Sequence, residues 1–465
     1  MFEAAKSILS MRGVFLDVAT GRGVERKNCE MIQSQRLRRM VRYAYENVEM
    51  YRNKYDAAGI KPEDIRSIAD IHKLPIVTKD DLRSNYPGGI LSRRFRERDC
   101  SVVSTTGTTG EPVKVFNRKY KASDMVLAAP LALMLLPRLA AVMKAEGIGR
   151  RTLAIVAVDQ DCVTYSSLRE LMRAPGFIRG SLDIVNSLDE PEAHIRALQQ
   201  YDPHILVSYP GVLRNVITSA RRAGLPLPQP KLLVIGGELL DDNTRKAISD
   251  TFKGKLVEHY GATEVGAVAL GCPQEGRLHI MSMLSVLEVV RDGKPMPPGV
   301  PGNAVVTALW NMATPMIRYS GLDDVLVLGD EECSCGSRLP VIRVIQGRTV
   351  DSFILPDGEL IHPGRLIFAL ANLPEIAYYQ VIQEEVNMVR VLIVEAGGGD
   401  GGTPSPFVEG GPLWSVIVTR FKELLGDDVH VAIDLVDDIP RLPGSRFYPV
   451  VRSLVNKPSA CLKPL

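Results

Sequence analysis

The sequence predicts an α/β protein: a large N-terminal domain, made of α/β sheets plus a β-rich subdomain, and a small α+β C-terminal domain. Three observations carry this reading. Strand-like runs alternate with helical patterns between residues 101 and 261, the order that builds a largely parallel sheet. From residue 283 the stretch SVLEVVRDGKPMPPGVPGNAVVTAL has the texture of strands joined by tight turns, an antiparallel subdomain ending near Val344. After Gly347 the order becomes strand, strand, helix, strand. The domains are therefore drawn at 1–347 and 348–465. At roughly 150 residues per domain, 465 residues hold two unequal domains or three.

Residues 31–85 read as helices and connectors. MIQSQRLRRMVRYAYENVEMYRNKY places apolar and aromatic positions at helical spacing, and the following stretch alternates Pro or Gly breaks with short helical pieces. The strand runs are SVVSTT (101–106), RTLAIVAV (151–158), HILVSYP (204–210), KLLVIGG (231–237) and KLVEHYG (255–261). In the C-terminal unit YYQVIQEEVNMVRVLIVEA is a strand pair, LWSVIVTRFKELLG an amphipathic helix and DDVHVAIDLV a further strand. Ala396–Pro406, rich in Gly and Pro, is a loop between them.

Composition excludes several classes. Apolar residues are 45% and charged residues 24%, which argues for a folded globular chain. A net charge of +2 argues against a nucleic-acid partner, which needs clustered positive charge. The longest charge-free apolar run, Met125–Pro137, has thirteen residues and two prolines. A membrane span needs about 20 residues, so this run is expected to be a buried helix and no membrane partner is expected. MFEAAKSILSMRG lacks the layout of an export signal, and the seven cysteines then point to reduced thiols and a cytoplasmic location.

Four segments bear chemistry. STTGTTGEPVKV (104–115) follows a strand and packs Ser, Thr and Gly together. Glycines let successive N–H groups converge and hydroxyls add donors, a phosphate cradle; taken alone, the segment also reads as a surface loop. It is not a Walker A loop, since no Gly-Lys-Ser/Thr follows. HYGATEVG (259–266) brings Thr263 and Glu264 to a turn after a strand. A carboxylate beside a phosphate cradle suits Mg²⁺, which needs only one or two protein oxygens; an ordinary strand–turn–helix is the other reading. In IRYSGLDDV (317–325) Asp323 suits the two hydroxyls of a ribose, and in GRTVD (347–351) Arg348 suits a phosphate or carboxylate. Separately, both also read as surface ion-pair residues.

Taken in order, these segments resemble the adenylate-forming (acyl-CoA synthetase) superfamily. The stretch RLRRMVRYAYENVEMYRNKYDAAGIKPEDIRSIADIHKLPIVTKDDLR resembles the N-terminal hallmark of its phenylacetate–CoA ligase branch. The resemblance covers nearly the whole chain. It implies a phosphate loop at Ser104, Thr105, Thr106, Gly107, Thr108, Thr109 and Gly110, and an adenine-contacting strand end at GGELL, with Gly237 and Glu238. It implies further nucleotide contacts from Tyr260, Gly261, Ala262, Thr263, Asp323 and Arg348, with Glu264 on Mg²⁺. The large domain would hold ATP and the acid, and the small domain would be mobile, rotating between two half-reactions. In the first, a carboxylate attacks the α-phosphate of ATP to give an acyl-adenylate. In the second, a thiol, usually that of coenzyme A, displaces AMP. The branch implies an aryl or arylalkyl acid, for which Tyr165, Tyr209, Gly236 and Tyr260 are candidate walls of a flat apolar slot. The catalytic assignments are Arg446, Glu264 and Thr263. Transfer to an amine or carrier thiol, and a catalytically silent nucleotide binder, remain the alternatives. The oligomeric state, a homodimer included, is open.

The chain departs from the family pattern at three places. IPRLPGSRFYPVV (439–451) puts Arg446, or in another register Ser445, where the family has lysine. A guanidinium is a planar fork and an ammonium a point charge, so the two are not interchangeable. Ser320 replaces the second arginine of the Arg-Tyr-Arg segment, and Val350 stands two after Arg348 at the hinge, where a carboxylate or lysine is usual. Separately, Cys272 and His279 in GCPQEGRLHI and Cys333 and Cys335 in EECSCGSR offer a Cys₃His set for a structural Zn²⁺; four unrelated residues are the other reading. Some members of the branch look similar here.

Overall fold

The computed structural model describes residues 26–105, 112–118, 147, 151–158, 165, 182–238, 240–272, 277–322, 325–329, 333–335, 337–346, 352–361, 366–367, 369–370, 373, 375–395, 405–437, 439 and 451–455. The expected helix over Met125–Pro137 lies outside the described residues. Helix α1 (Arg26–Asn47) buries Cys29, Ile32, Leu37, Met40, Val41 and Ala44, which recur at three- and four-residue spacing on one face. Helix α2 (Glu49–Ala57) follows. Thr78 and Asp81 form a capping box that starts α3 (Lys79–Ser84): each side chain accepts the other's backbone N–H.

Strands β1 (Cys100–Ser104) and β2 (Lys114–Arg118) form a separate antiparallel hairpin. The main sheet begins with β3 (Thr152–Val156) and β4 (Leu182–Asn186), then α4 (Pro191–Tyr201), β5 (Ile205–Ser208), α5 (Pro210–Arg222), β6 (Leu232–Gly236), α6 (Asp242–Thr251) and β7 (Lys255–Ala262). These five strands run parallel in the order β4-β3-β5-β6-β7. The same sheet continues antiparallel through β8 (Gly266–Gly271) and β9 (Leu278–Ile280). It extends through β10 (Ser285–Arg291), β11 (Lys294–Pro295), β12 (Gly302–Ala308), β13 (Met316–Tyr319), β14 (Val325–Gly329) and β15 (Val341–Gln346).

The antiparallel part therefore starts at Gly266, not at residue 283. The cause is a tight reversal. A Cβ on Gly261 would lie 2.3 Å from the Gly266 carbonyl oxygen, and Gly266 has φ +72°, so two glycines permit the return of the chain. Asp292 and Gly293, both at positive φ, make the two-residue turn between β10 and β11.

In the C-terminal unit β16 (Phe353–Ile354) pairs with β17 (Leu360–Ile361). Strands β18 (Ile376–Glu385) and β19 (Met388–Glu395) form a hairpin, and α7 (Pro412–Leu425) leads to β20 (His430–Leu435). A further strand, β21 (Val451–Ser453), adds parallel to β18 and gives the order β20-β19-β18-β21. Phe353, Tyr379, Phe407 and Phe421 fill this unit's own core. It meets the sheet domain at α5 and α6. The Arg214 guanidinium stacks 3.9 Å from the Tyr378 ring centre, and Asn243 Nδ2 donates to Leu370 O at 3.5 Å. Among the described residues no helix is long and apolar enough to cross a membrane.

Candidate functional site

In a parallel sheet the carboxyl ends of the strands form the ligand-binding edge. Register Ser208↔Ile235 and Gly236↔His259 brings the ends of β5, β6 and β7 level. That edge gathers Tyr209, Gly236–Glu238 and Tyr260–Glu264. Gly236 is obligatory, because a Cβ there would lie 2.3 Å from His259 O. Gly237 has φ +86°. The Glu238 carboxylate accepts the Gly211 N–H at 2.7 Å and so serves the positive end of α5. Burial lowers the pKa of His259, which keeps its imidazole neutral.

The expected slot walls fall in different settings. The Tyr209 ring is buried in the core around β3, β5 and β6, and its hydroxyl accepts the Ala157 N–H at 3.3 Å. Tyr165 packs half-buried against that core, whereas Tyr260 packs against the separate core shared by α1, α2 and the antiparallel strands.

Of the phosphate-loop candidates, Ser104 and Thr105 lie at the loop end of the β1–β2 hairpin. Ser104 ends β1, and its Oγ donates to Thr105 O at 3.4 Å. Thr105 closes the loop's base. Its N–H donates to Val113 O and its Oγ1 accepts the Val113 N–H, both at 2.9 Å. Thr106, Gly107, Thr108, Thr109 and Gly110 lie outside the described residues, as do Asp323, Arg348 and Arg446.

A segment without a marked motif ties this hairpin to the Glu264 turn. Trp310 Nε1 donates to Val265 O at 3.2 Å. Asn311 Nδ2 donates to Phe116 O and to Asn117 Oδ1, at 3.0 and 2.8 Å. Thr314 Oγ1 accepts the Phe116 N–H at 3.0 Å. An Asn and a Thr within WNMATP are the sequence signal, and they acquire meaning once the structure shows them buried between the strands.

Glu264 is 3% exposed, and one oxygen of its carboxylate accepts the Tyr319 hydroxyl at 2.6 Å. Its second oxygen has no other hydrogen-bond donor among the described residues. A carboxylate with one oxygen spoken for and one remaining fits a cation that takes a single protein oxygen and keeps its waters.

The four sulfur and nitrogen ligand candidates meet at the other end of β8. Cys272 follows β8, His279 lies in β9, and Cys333 and Cys335 lie between β14 and β15. Their ligand atoms lie within 4.8 Å of one another. Cys272 Sγ and Cys333 Sγ are 3.7 Å apart, and Cys335 Sγ and His279 Nε2 are 3.4 Å apart. Tetrahedral Zn²⁺ with Zn–S of about 2.3 Å and Zn–N of about 2.0 Å has S–S and S–N edges of about 3.8 and 3.5 Å, so the spacing fits that ion. His279 Nδ1 faces Leu339 O at 3.4 Å, which leaves Nε2 for the cluster. Burial, with Cys335 and Cys272 beside it, pushes the Cys333 thiol up to about 12.

Residues 177–314, which span the strand ends and the Glu264 turn, match the AMP-binding enzyme family. The chain is 27% identical over 372 residues to phenylacetate–coenzyme A ligase of Thermus thermophilus, covering 77% of this chain and 78% of that one. It is 30% identical over 300 residues to the phenylacetate–coenzyme A ligase of Aromatoleum evansii, covering 63% and 65%. In fold it resembles 2-hydroxyisobutyryl-CoA ligase in its postadenylation state, with TM-score 0.73 at 19% identity over 93% of this chain and 90% of that one. An AMP-binding enzyme domain thus lies at residues 177–314, and the chain is similar over most of its length to phenylacetate–coenzyme A ligases.

Proposed function

We propose that this AMP-forming acid–CoA ligase acts on an aryl or arylalkyl carboxylic acid, in the cytoplasm. The observation that carries the reading is the strand-end edge of Gly236–Glu238 and Tyr260–Glu264, inside the stretch that matches the AMP-binding family. The aryl preference draws on relatives that are phenylacetate–coenzyme A ligases.

The chemistry asks for positioning and charge neutralisation more than for a protein nucleophile. The acid's oxygen bonds to the α-phosphorus of ATP as pyrophosphate leaves; the sulfur of coenzyme A then attacks the acyl carbon and AMP leaves. Mg²⁺, when bound, neutralises phosphate charge. Glu264 is the carboxylate that holds it, and Thr263 and the 104–110 loop hold phosphate oxygens. Asp323 holds the ribose, and Arg348 pairs with a phosphate. Arg446 supplies the cation for adenylation that a lysine supplies elsewhere in the family. Cys272, His279, Cys333 and Cys335 would together hold a Zn²⁺ ion, and with four protein ligands its role would be structural.

A pyrophosphate-exchange assay over a panel of aryl acids tests the reading. Exchange that depends on one of these acids is expected, with acyl-CoA and AMP formed when coenzyme A is added. Binding of ATP without exchange on any of them would favour the silent-binder alternative. Arg446→Ala is expected to depress exchange strongly while leaving thioester formation from supplied acyl-adenylate nearly normal, since the half-reactions use different faces of a moving domain. Arg446→Lys should retain or raise exchange.

A further inference from the structure

We propose that Tyr319 is a positioning residue for adenylation: its hydroxyl fixes the orientation in which the Glu264 carboxylate receives the nucleotide's divalent cation. This rests on the reading of Glu264 as the metal-side carboxylate. The hydroxyl donates to Glu264 Oε1 at 2.6 Å, with the two residues 0% and 3% exposed. A bond of this kind to an ionised oxygen is short and directional, about twice the strength of a neutral one. It occupies one carboxylate oxygen and thereby selects which oxygen is left.

Tyr319 is itself held from four directions. It pairs with Val306 across β12–β13 and bridges to Val77, whose N–H and C=O bond Arg318 and Ser320. One residue back, Arg318 sits at φ +50°. Its guanidinium donates to both oxygens of Glu288, at 3.1 and 3.0 Å, and to the carbonyls of His72 and Leu74. Left-handed backbone at a non-glycine residue is costly and persists where its surroundings over-determine it. Tyr51, from α2, accepts the Ile317 N–H at 2.9 Å. Two residues on, Gly321 leaves the tyrosine its room, for a Cβ there would lie 2.1 Å from the Tyr319 hydroxyl. Side chains that contact a metal's ligand typically change metal affinity about 10–100-fold when lost. A tyrosine serving only the core would change stability and leave the metal untouched.

The test is Mn²⁺ binding to the full chain by electron paramagnetic resonance, with α,β-methylene-ATP present, for wild type, Tyr319→Phe, Glu264→Gln and the double variant. Tyr319→Phe is expected to weaken Mn²⁺ about tenfold or more, with metal-free nucleotide affinity unchanged and no further loss when added to Glu264→Gln. Unchanged Mn²⁺ affinity in Tyr319→Phe, or losses that add in the double variant, would overturn the proposal while Glu264→Gln still reports a metal-side carboxylate. Unchanged affinity in Glu264→Gln would overturn the reading of Glu264 itself, and the proposal with it. Should Tyr319→Phe not fold, 4-aminophenylalanine at 319 keeps the ring and an N–H donor; affinity within about threefold of wild type is expected, and a full loss counts against the hydrogen bond.

Discussion

Strand β8 is locked differently at its two ends. At the start, the turn that carries Glu264 is held by single hydrogen bonds from distant residues: Tyr319 to the carboxylate and Trp310 to the Val265 carbonyl. At the finish, Cys272 joins His279 of β9 and Cys333 and Cys335 of the β14–β15 connection, a cluster of three thiols and an imidazole from three segments in all. The first kind of lock is directional and leaves one carboxylate oxygen for a cation. The second is closed, with every ligand position supplied by the chain. On the proposed reading, one strand links an end that would exchange a metal with substrate to an end that would hold one permanently.

Three perturbations sharpen that contrast, from the largest expected effect down. Metal removal should strike the closed end hardest, because binding energy at a structural site is folding energy, about 10–16 kcal/mol in isolated zinc peptides. Elemental analysis is expected to find about one zinc per chain; Cys335→Ser should lose it and melt at lower temperature. Metal-free protein whose melting ignores chelator would count against the zinc. Glu264→Gln acts at the open end, with an expected loss of about 10²–10³ in adenylation rate and little change in melting temperature. Wild-type kinetics in that variant would remove Glu264 from the site. Trp310→Phe deletes one N–H donor at the turn and should cost about 0.5–1.5 kcal/mol in denaturant unfolding, with zinc content unchanged. A loss of zinc there would show that the two ends are not independent.

Much of the fold was legible in the sequence because local pattern carries it. The apolar runs at 151–158, 204–210, 231–237 and 255–261 all contain strands of the parallel set, and YYQVIQEEVNMVRVLIVEA forms the β18–β19 hairpin. The reversal at Gly266 was missed because GATEVG also reads as a helix start; the close backbone approach at Gly261 that dictates the hairpin has no sequence signature of its own. Strand β21 escaped notice because three residues carry no period. The Cys₃His set was legible since its residue types are chemically distinctive at any separation. The Tyr319–Glu264 bond was not: its partners lie 55 residues apart, and tyrosine beside a buried carboxylate is recognisable only when the strands bring them together. Trp310, Asn311 and Thr314 are similar, with polar groups that gain partners through β2 and the β7–β8 turn.

The proposed reaction turns on one bond, made when the acid's own oxygen attacks the α-phosphate. An acid from the exchange panel, labelled with ¹⁸O in its carboxylate and turned over with ATP and coenzyme A, tests it most directly by mass spectrometry of the nucleotide product. AMP carrying one ¹⁸O from the acid is expected alongside the thioester. Unlabelled AMP, or ADP with the label in inorganic phosphate, would contradict it.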